Sequence, residues 1–134
     1  MSQSTPTRRT VLLSAALGAV AAPALAACGG GTPEATPTSG EVLAALDDLE
    51  DGVATVVTTA AGTPVVLTRS GDTVSALSGV CTHQGCVVRN NGVNLLCPCH
   101  SSEFGFDGGV LKGPASEPLP PVPVAVQDGN VVTA

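Results

Sequence analysis

Gly79-Val80-Cys81-Thr82-His83-Gln84-Gly85-Cys86 and, ten residues further on, Cys97-Pro98-Cys99-His100-Ser101-Ser102 contain both histidines of the 134-residue chain and every cysteine except Cys28. Thiols and imidazoles gathered this closely point to metal ligation or disulfide pairing. A structural zinc takes four such ligands in a tetrahedron and leaves two cysteines for a disulfide. An iron–sulfur centre accounts for the same residues, so spacing alone leaves the two open. Disulfides by themselves would leave the histidines without a role.

Outward from these segments the chain is β-type. Residues 53–59 and 64–68 are β-branched runs separated by Ala60-Ala61-Gly62-Thr63, a hairpin signal. Ser70-Gly71-Asp72 predicts a turn before a strand at 73–77. Residues 87–89 and 93–96 flank Asn90-Asn91-Gly92, and residues 122–127 and 130–133 flank Asp128-Gly129; Asn-Gly and Asp-Gly favour tight hairpin turns. Residues 110–112 predict another short strand. Val42, Leu43, Leu46 and Leu49 are spaced roughly as on a helix, so 41–51 reads as one helical turn or a loop. The expectation is an all-β fold, a small antiparallel domain over 41–134 with both Cys/His segments in loops between strands.

Composition agrees. With two Phe, no Trp and no Tyr, the core must come from Val, Leu and Ala, and 16 Gly with 11 Pro favour turns over long helices. A core this small is commonly reinforced by a metal or a disulfide. The net charge is −6, and without Arg8 and Arg9 it is −8, with Arg69, Arg89 and Lys112 facing eleven acids. No nucleic-acid partner is expected, since that would need clustered cations.

Residues 1–27 carry an export signature. Arg8-Arg9 precedes an apolar run of 17 residues ending in Ala26-Ala27, similar to a twin-arginine signal. Leu25-Ala26-Ala27-Cys28 resembles a lipobox, in which Cys28 is lipidated and becomes the first residue. Residues 28–40, rich in Gly, Thr and Pro, read as a flexible tether. An uncleaved anchor is the alternative, although a spanning helix needs about 20 residues. The expected location is the outer face of the cytoplasmic membrane, reached by the twin-arginine route and held through lipidated Cys28.

Cys-x-His-x2-Cys and Cys-x-Cys-His, with 13 residues between His83 and Cys97, together with Gly79-Val80, Ser102 and Lys112-Gly113-Pro114-Ala115, resemble the two cluster-binding loops and flanks of Rieske proteins. The resemblance implies a small antiparallel β sandwich or barrel with both loops at one tip and one [2Fe–2S] cluster as cofactor. It implies Cys81 and Cys97 as ligands of the buried iron, His83 and His100 as ligands of the outer iron, and a disulfide between Cys86 and Cys99. Gly113-Pro114-Ala115 would belong to a proline-containing loop over the cluster. Two thiolates and two neutral imidazoles leave the oxidised cluster formally neutral, whereas four thiolates leave it doubly negative. Exchanging two Cys for two His therefore raises the potential, to between about −150 and +300 mV against about −400 mV. Ser102 stands where a sulfur-directed hydroxyl is usual. Phe104 stands where such members carry Tyr, and Ser101 where they carry Gly, so an intermediate potential is expected.

The implied role is one-electron transfer by a redox subunit of a quinol-oxidising cytochrome bc-type chain, with that complex or a cytochrome as partner. The alternatives are the electron-transfer subunit of another exported oxidoreductase, similar to that of arsenite oxidase, and a structural zinc module. No catalysis by the chain alone is expected: a Rieske oxygenase binds a further iron through additional histidines, and both histidines here are already used.

Overall fold

In the computed structural model residues 39–134 are described; Arg8, Arg9, the apolar run, Cys28 and most of the 28–40 tether lie outside them. Among the described residues no helix is long and apolar enough to cross a membrane.

Among the described residues ten short strands follow one another: β1 (Val42–Ala45), β2 (Ala54–Thr58), β3 (Pro64–Ser70), β4 (Thr73–Ser78), β5 (Arg89–Asn90), β6 (Leu95–Leu96), β7 (Glu103–Phe104), β8 (Val110–Lys112), β9 (Val124–Gln127) and β10 (Asn130–Thr133). They form three antiparallel sheets, ordered β1-β10-β9, β2-β3-β4 and β5-β6-β7-β8. The hairpins at Gly62, at Gly71 and at Asp128-Gly129 fall where the turn residues place them. Asp128 (φ 49°) and Gly129 (φ 75°) both adopt the left-handed conformation that an Asp-Gly two-residue turn requires.

Two local readings are corrected. Residues 41–51 are not a simple helical turn: Val42–Ala45 is a strand, and only Leu46–Asp48 turns as a 3-10 helix. β1 pairs with β10, the last strand, which gives it a partner that no local pattern reveals. β7, immediately after the second Cys/His segment, has no β-rich run to announce it. Its two residues are held by pairing with β6 and β8 on either side.

β3 separates two cores. Val65 and Leu67 pack with Leu49, Ala76 and Val131 on one side, while Val66 packs with Ala54, Val88, Leu95, Phe104 and Leu119 on the other. All three β3 residues are at most 1% exposed, which explains their continuous rather than alternating hydrophobicity. The second core also contains Cys81 and Cys97, so the sheet that buries the apolar residues buries the two thiols too. Where β4 leaves for the first Cys/His segment, the Gly79 N–H donates to the Pro64 carbonyl at 2.8 Å. A Cβ on Gly79 would lie 2.8 Å from Pro64 Cβ, so this crossing accepts only glycine without a backbone shift.

Candidate metal centre

The two Cys/His segments fold as the same six-residue turn. In loop 1 (residues 81–86) the Cys81 N–H donates to the Cys86 carbonyl at 2.7 Å and the Gly85 N–H to the Cys81 carbonyl at 2.9 Å. In loop 2 (residues 97–102) the Cys97 N–H donates to the Ser102 carbonyl at 2.8 Å and the Ser101 N–H to the Cys97 carbonyl at 3.0 Å. The fifth residue of each is left-handed, Gly85 at φ 77° and Ser101 at φ 60°. Ser101 thus occupies, at a conformational cost, a position that suits glycine.

Cys81 and Cys97, which open the two turns, are free thiols, each 2% exposed. Burial pushes the Cys81 thiol above its ordinary range. Its hydrogen bond and charge interaction with Cys97 push it the same way, against backbone N–H groups of His83 and Gln84. Cys81 is therefore a poor thiolate unless a cation compensates it. The two imidazoles are exposed and stand edge to face, with ring centroids 5.1 Å apart. Cys86 and Cys99 form the disulfide that joins the loops, with Cα atoms 6.4 Å apart.

A third segment closes over the loops. The Ala115 N–H donates to Ser102 Oγ at 3.0 Å, and Thr82 Oγ1 donates to the Glu117 carbonyl at 2.7 Å. Ser102 and Phe104 are both 0% exposed. A serine hydroxyl that accepts from Ala115 still has its own hydrogen to give. Phe104, packed in the core that holds Cys81 and Cys97, can give none.

This donor set fits a binuclear iron–sulfur cluster: two buried thiols on one side, two exposed imidazoles on the other, each iron needing two protein ligands. Among the described residues no three His, Cys, Asp or Glu side chains converge as ligands of a single ion. The sequence singles out neither Asn94 nor Glu103, and Lys112 only within Lys112-Gly113-Pro114-Ala115; Asn94 and Lys112 both donate to the Glu103 carboxylate. Beyond that, their signal is polar character, in a turn for Asn94 and on strands for Glu103 and Lys112, and it becomes legible once β6, β7 and β8 are in register.

Residues 40–123 match the Rieske [2Fe-2S] domain profile. The cytochrome b6-f complex iron-sulfur subunit of Prochlorococcus marinus is 36% identical over 116 residues, covering 81% of this chain and 65% of that relative. The chain therefore spans a little under two thirds of that relative's length. Among solved structures, the plasma membrane Rieske protein of Synechocystis PCC 6803 superposes with a TM-score of 0.54 at 31% identity, covering 72% of this chain and 98% of that one. The ferredoxin of carbazole 1,9a-dioxygenase from Nocardioides aromaticivorans gives 0.53 at 27% identity, with the same two coverages.

Proposed function

The chain belongs to the Rieske [2Fe–2S] domain family, and we propose that it transfers single electrons as the redox subunit of a quinol-oxidising cytochrome bc-type chain on the outer face of a bacterial membrane. The observation that carries this reading is the pair of exposed imidazoles 5.1 Å apart, joined through their loops to two buried thiols. Cys81 and Cys97 would bind the inner iron, and His83 and His100 the outer one. When bound, the cluster supplies a one-electron couple.

The chain's own residues do the rest. The disulfide and the two matching turns hold the four ligands in place. Burial of Cys81, Cys97, Ser102 and Phe104 keeps water from the sulfur side. His83 and His100 would each bind iron through one ring nitrogen, and the other, once deprotonated, would accept a hydrogen bond and a proton from a donor that docks at the tip. With the cluster bound, reduction would raise the proton affinity of His83 and His100, which would couple electron uptake to proton uptake there. The relative named as a cytochrome b6-f subunit supports a membrane quinol chain over a soluble ferredoxin role. The Cys86–Cys99 disulfide supports an oxidising compartment. Export through Arg8-Arg9 and anchoring through lipidated Cys28 complete the proposal.

A redox titration followed by EPR tests it. The midpoint potential is expected to fall with rising pH over the range in which reduction takes up a proton; a potential independent of pH would contradict proton-coupled transfer. Phe104→Tyr adds a hydroxyl donor within the core that holds both thiols, and should raise the potential. An unchanged value would show that the hydroxyl does not reach a cluster sulfur.

A further inference from the structure

From the β5–β6 turn to β7 and β8, four polar side chains form a connected chain. Asn91 Nδ2 donates to Asn94 Oδ1 at 2.8 Å, and Asn94 Nδ2 donates to Glu103 Oε2 at 2.9 Å. Lys112 Nζ donates to Glu103 Oε1 at 3.2 Å. The Glu103 carboxylate is the hub, with one donor on each oxygen. Asn94 is 8% exposed and the Glu103 side chain 29%, so the Asn94–Glu103 bond is partly shielded from water, whereas the Lys112 side chain, 60% exposed, bonds Glu103 at the surface.

The hub's sequence neighbours lead to the metal centre. Glu103 directly follows Ser102 and faces Lys112 in the β7–β8 register. Lys112 directly precedes Gly113-Pro114-Ala115, the segment whose Ala115 N–H bonds the Ser102 hydroxyl. The same two stretches of chain are thus tied twice, at 103–112 and at 102–115. The second tie governs where the Ser102 hydrogen can be offered, because the oxygen's acceptor side is committed to Ala115. The first tie sits beside it, on a pair of residues that touches no ligand.

We propose that Glu103 is a positioning residue: by bonding Asn94 and Lys112, its carboxylate keeps the 113–115 segment over Ser102 and fixes the direction in which the Ser102 hydroxyl is offered to the cluster. This rests on the reading that Cys81, His83, Cys97 and His100 hold a [2Fe–2S] cluster. It makes a prediction opposite in sign to that of simple electrostatics. A carboxylate near the cluster disfavours electron addition, so its removal as a charge raises the potential. Its removal as a positioning group weakens a hydrogen bond that favours the reduced state, and lowers the potential.

The experiment compares midpoint potentials of wild type, E103Q, S102A and the double variant, together with amide hydrogen exchange over 113–119. A glutamine offers one acceptor oxygen, so it can satisfy only one of the two donors. E103Q should lower the potential, in the same direction as S102A. The double variant should match S102A alone, since the effect runs through that hydroxyl. Exchange of the Ala115 amide in E103Q should quicken by roughly tenfold, as for the loss of a typical hydrogen bond.

A potential that rises or stays put in E103Q, or a shift that adds in full to that of S102A, overturns the inference while the cluster reading stands. Where E103Q holds no cluster, unchanged Ala115 exchange overturns it equally. A wild type with no [2Fe–2S] signal overturns the cluster reading and this inference with it.

Discussion

Loops 1 and 2 share one backbone and differ in almost every side chain. Each opens with a buried thiol whose N–H donates to the sixth residue's carbonyl, and each turns left-handed at its fifth residue. Loop 1 places histidine third and cysteine sixth; loop 2 places cysteine third, histidine fourth and Ser102 sixth. The backbone turn therefore supplies a frame, and position within it decides the task. The disulfide joins the sixth residue of one loop to the third of the other. Loop 1's sixth residue is spent on that link, while loop 2's is a buried hydroxyl tied to the covering segment. Loop 1 reaches the cover from elsewhere, through Thr82 and the Glu117 carbonyl. Matching turns thus divide the work: both are crosslinked, and loop 2 alone presents a hydroxyl inside the core.

The largest test of this comparison removes what joins the two halves. Cys86→Ala with Cys99→Ala deletes a link between residues 13 apart. By the chain-entropy argument that link contributes about 3 kcal/mol. For a domain of this size each kcal/mol shifts Tm by about 4–8 °C, so a fall well beyond 10 °C is expected by calorimetry at equal iron content. A fall of only a few degrees would mean that the sheet and the cluster hold the loops together without it.

The next test concerns the fifth position. A Cβ on Gly85 meets nothing within 4 Å, so Gly85→Ala adds no clash. Its whole cost is conformational: a non-glycine residue held at positive φ, roughly 1–2 kcal/mol. The expected result is a clear drop in Tm with an unchanged midpoint potential. A neutral result would show that loop 1 does not need its left-handed turn, and the equivalence of the loops would fail.

How much of this was legible beforehand follows from which interactions are local. Asp128-Gly129 marks its hairpin because two left-handed residues in a row demand such a pair. The two Cys/His loops stand out because thiols and imidazoles are scarce in this chain. β1 is not, because its partner β10 lies at the other end of the chain and its own residues mimic helical spacing. Phe104 shows that legibility has degrees. Its position opposite an expected hydroxyl could be read from the sequence, whereas its complete burial in the core of Cys81 and Cys97 could not. Glu103 lies furthest from sequence reasoning. A carboxylate directly after the buried Ser102 looks like an ordinary solvated charge until the register brings Asn94 and Lys112 to it.

The smallest effect is the most discriminating for the comparison itself. Ser101→Gly gives loop 2 the residue that loop 1 already has at its left-handed position. Relief of the backbone strain at φ 60° outweighs the extra freedom that glycine has in the unfolded chain, for a net gain of about 1 kcal/mol. Thermal unfolding should therefore move up by several degrees, the mirror image of Gly85→Ala. Ser101 is exposed, so the substitution removes no core packing. If the two shifts are equal and opposite, the turns are energetically as well as geometrically equivalent. If Ser101→Gly instead destabilises, the serine hydroxyl contributes more than its backbone strain costs, and the departure from glycine in loop 2 has a purpose on the surface beside His100.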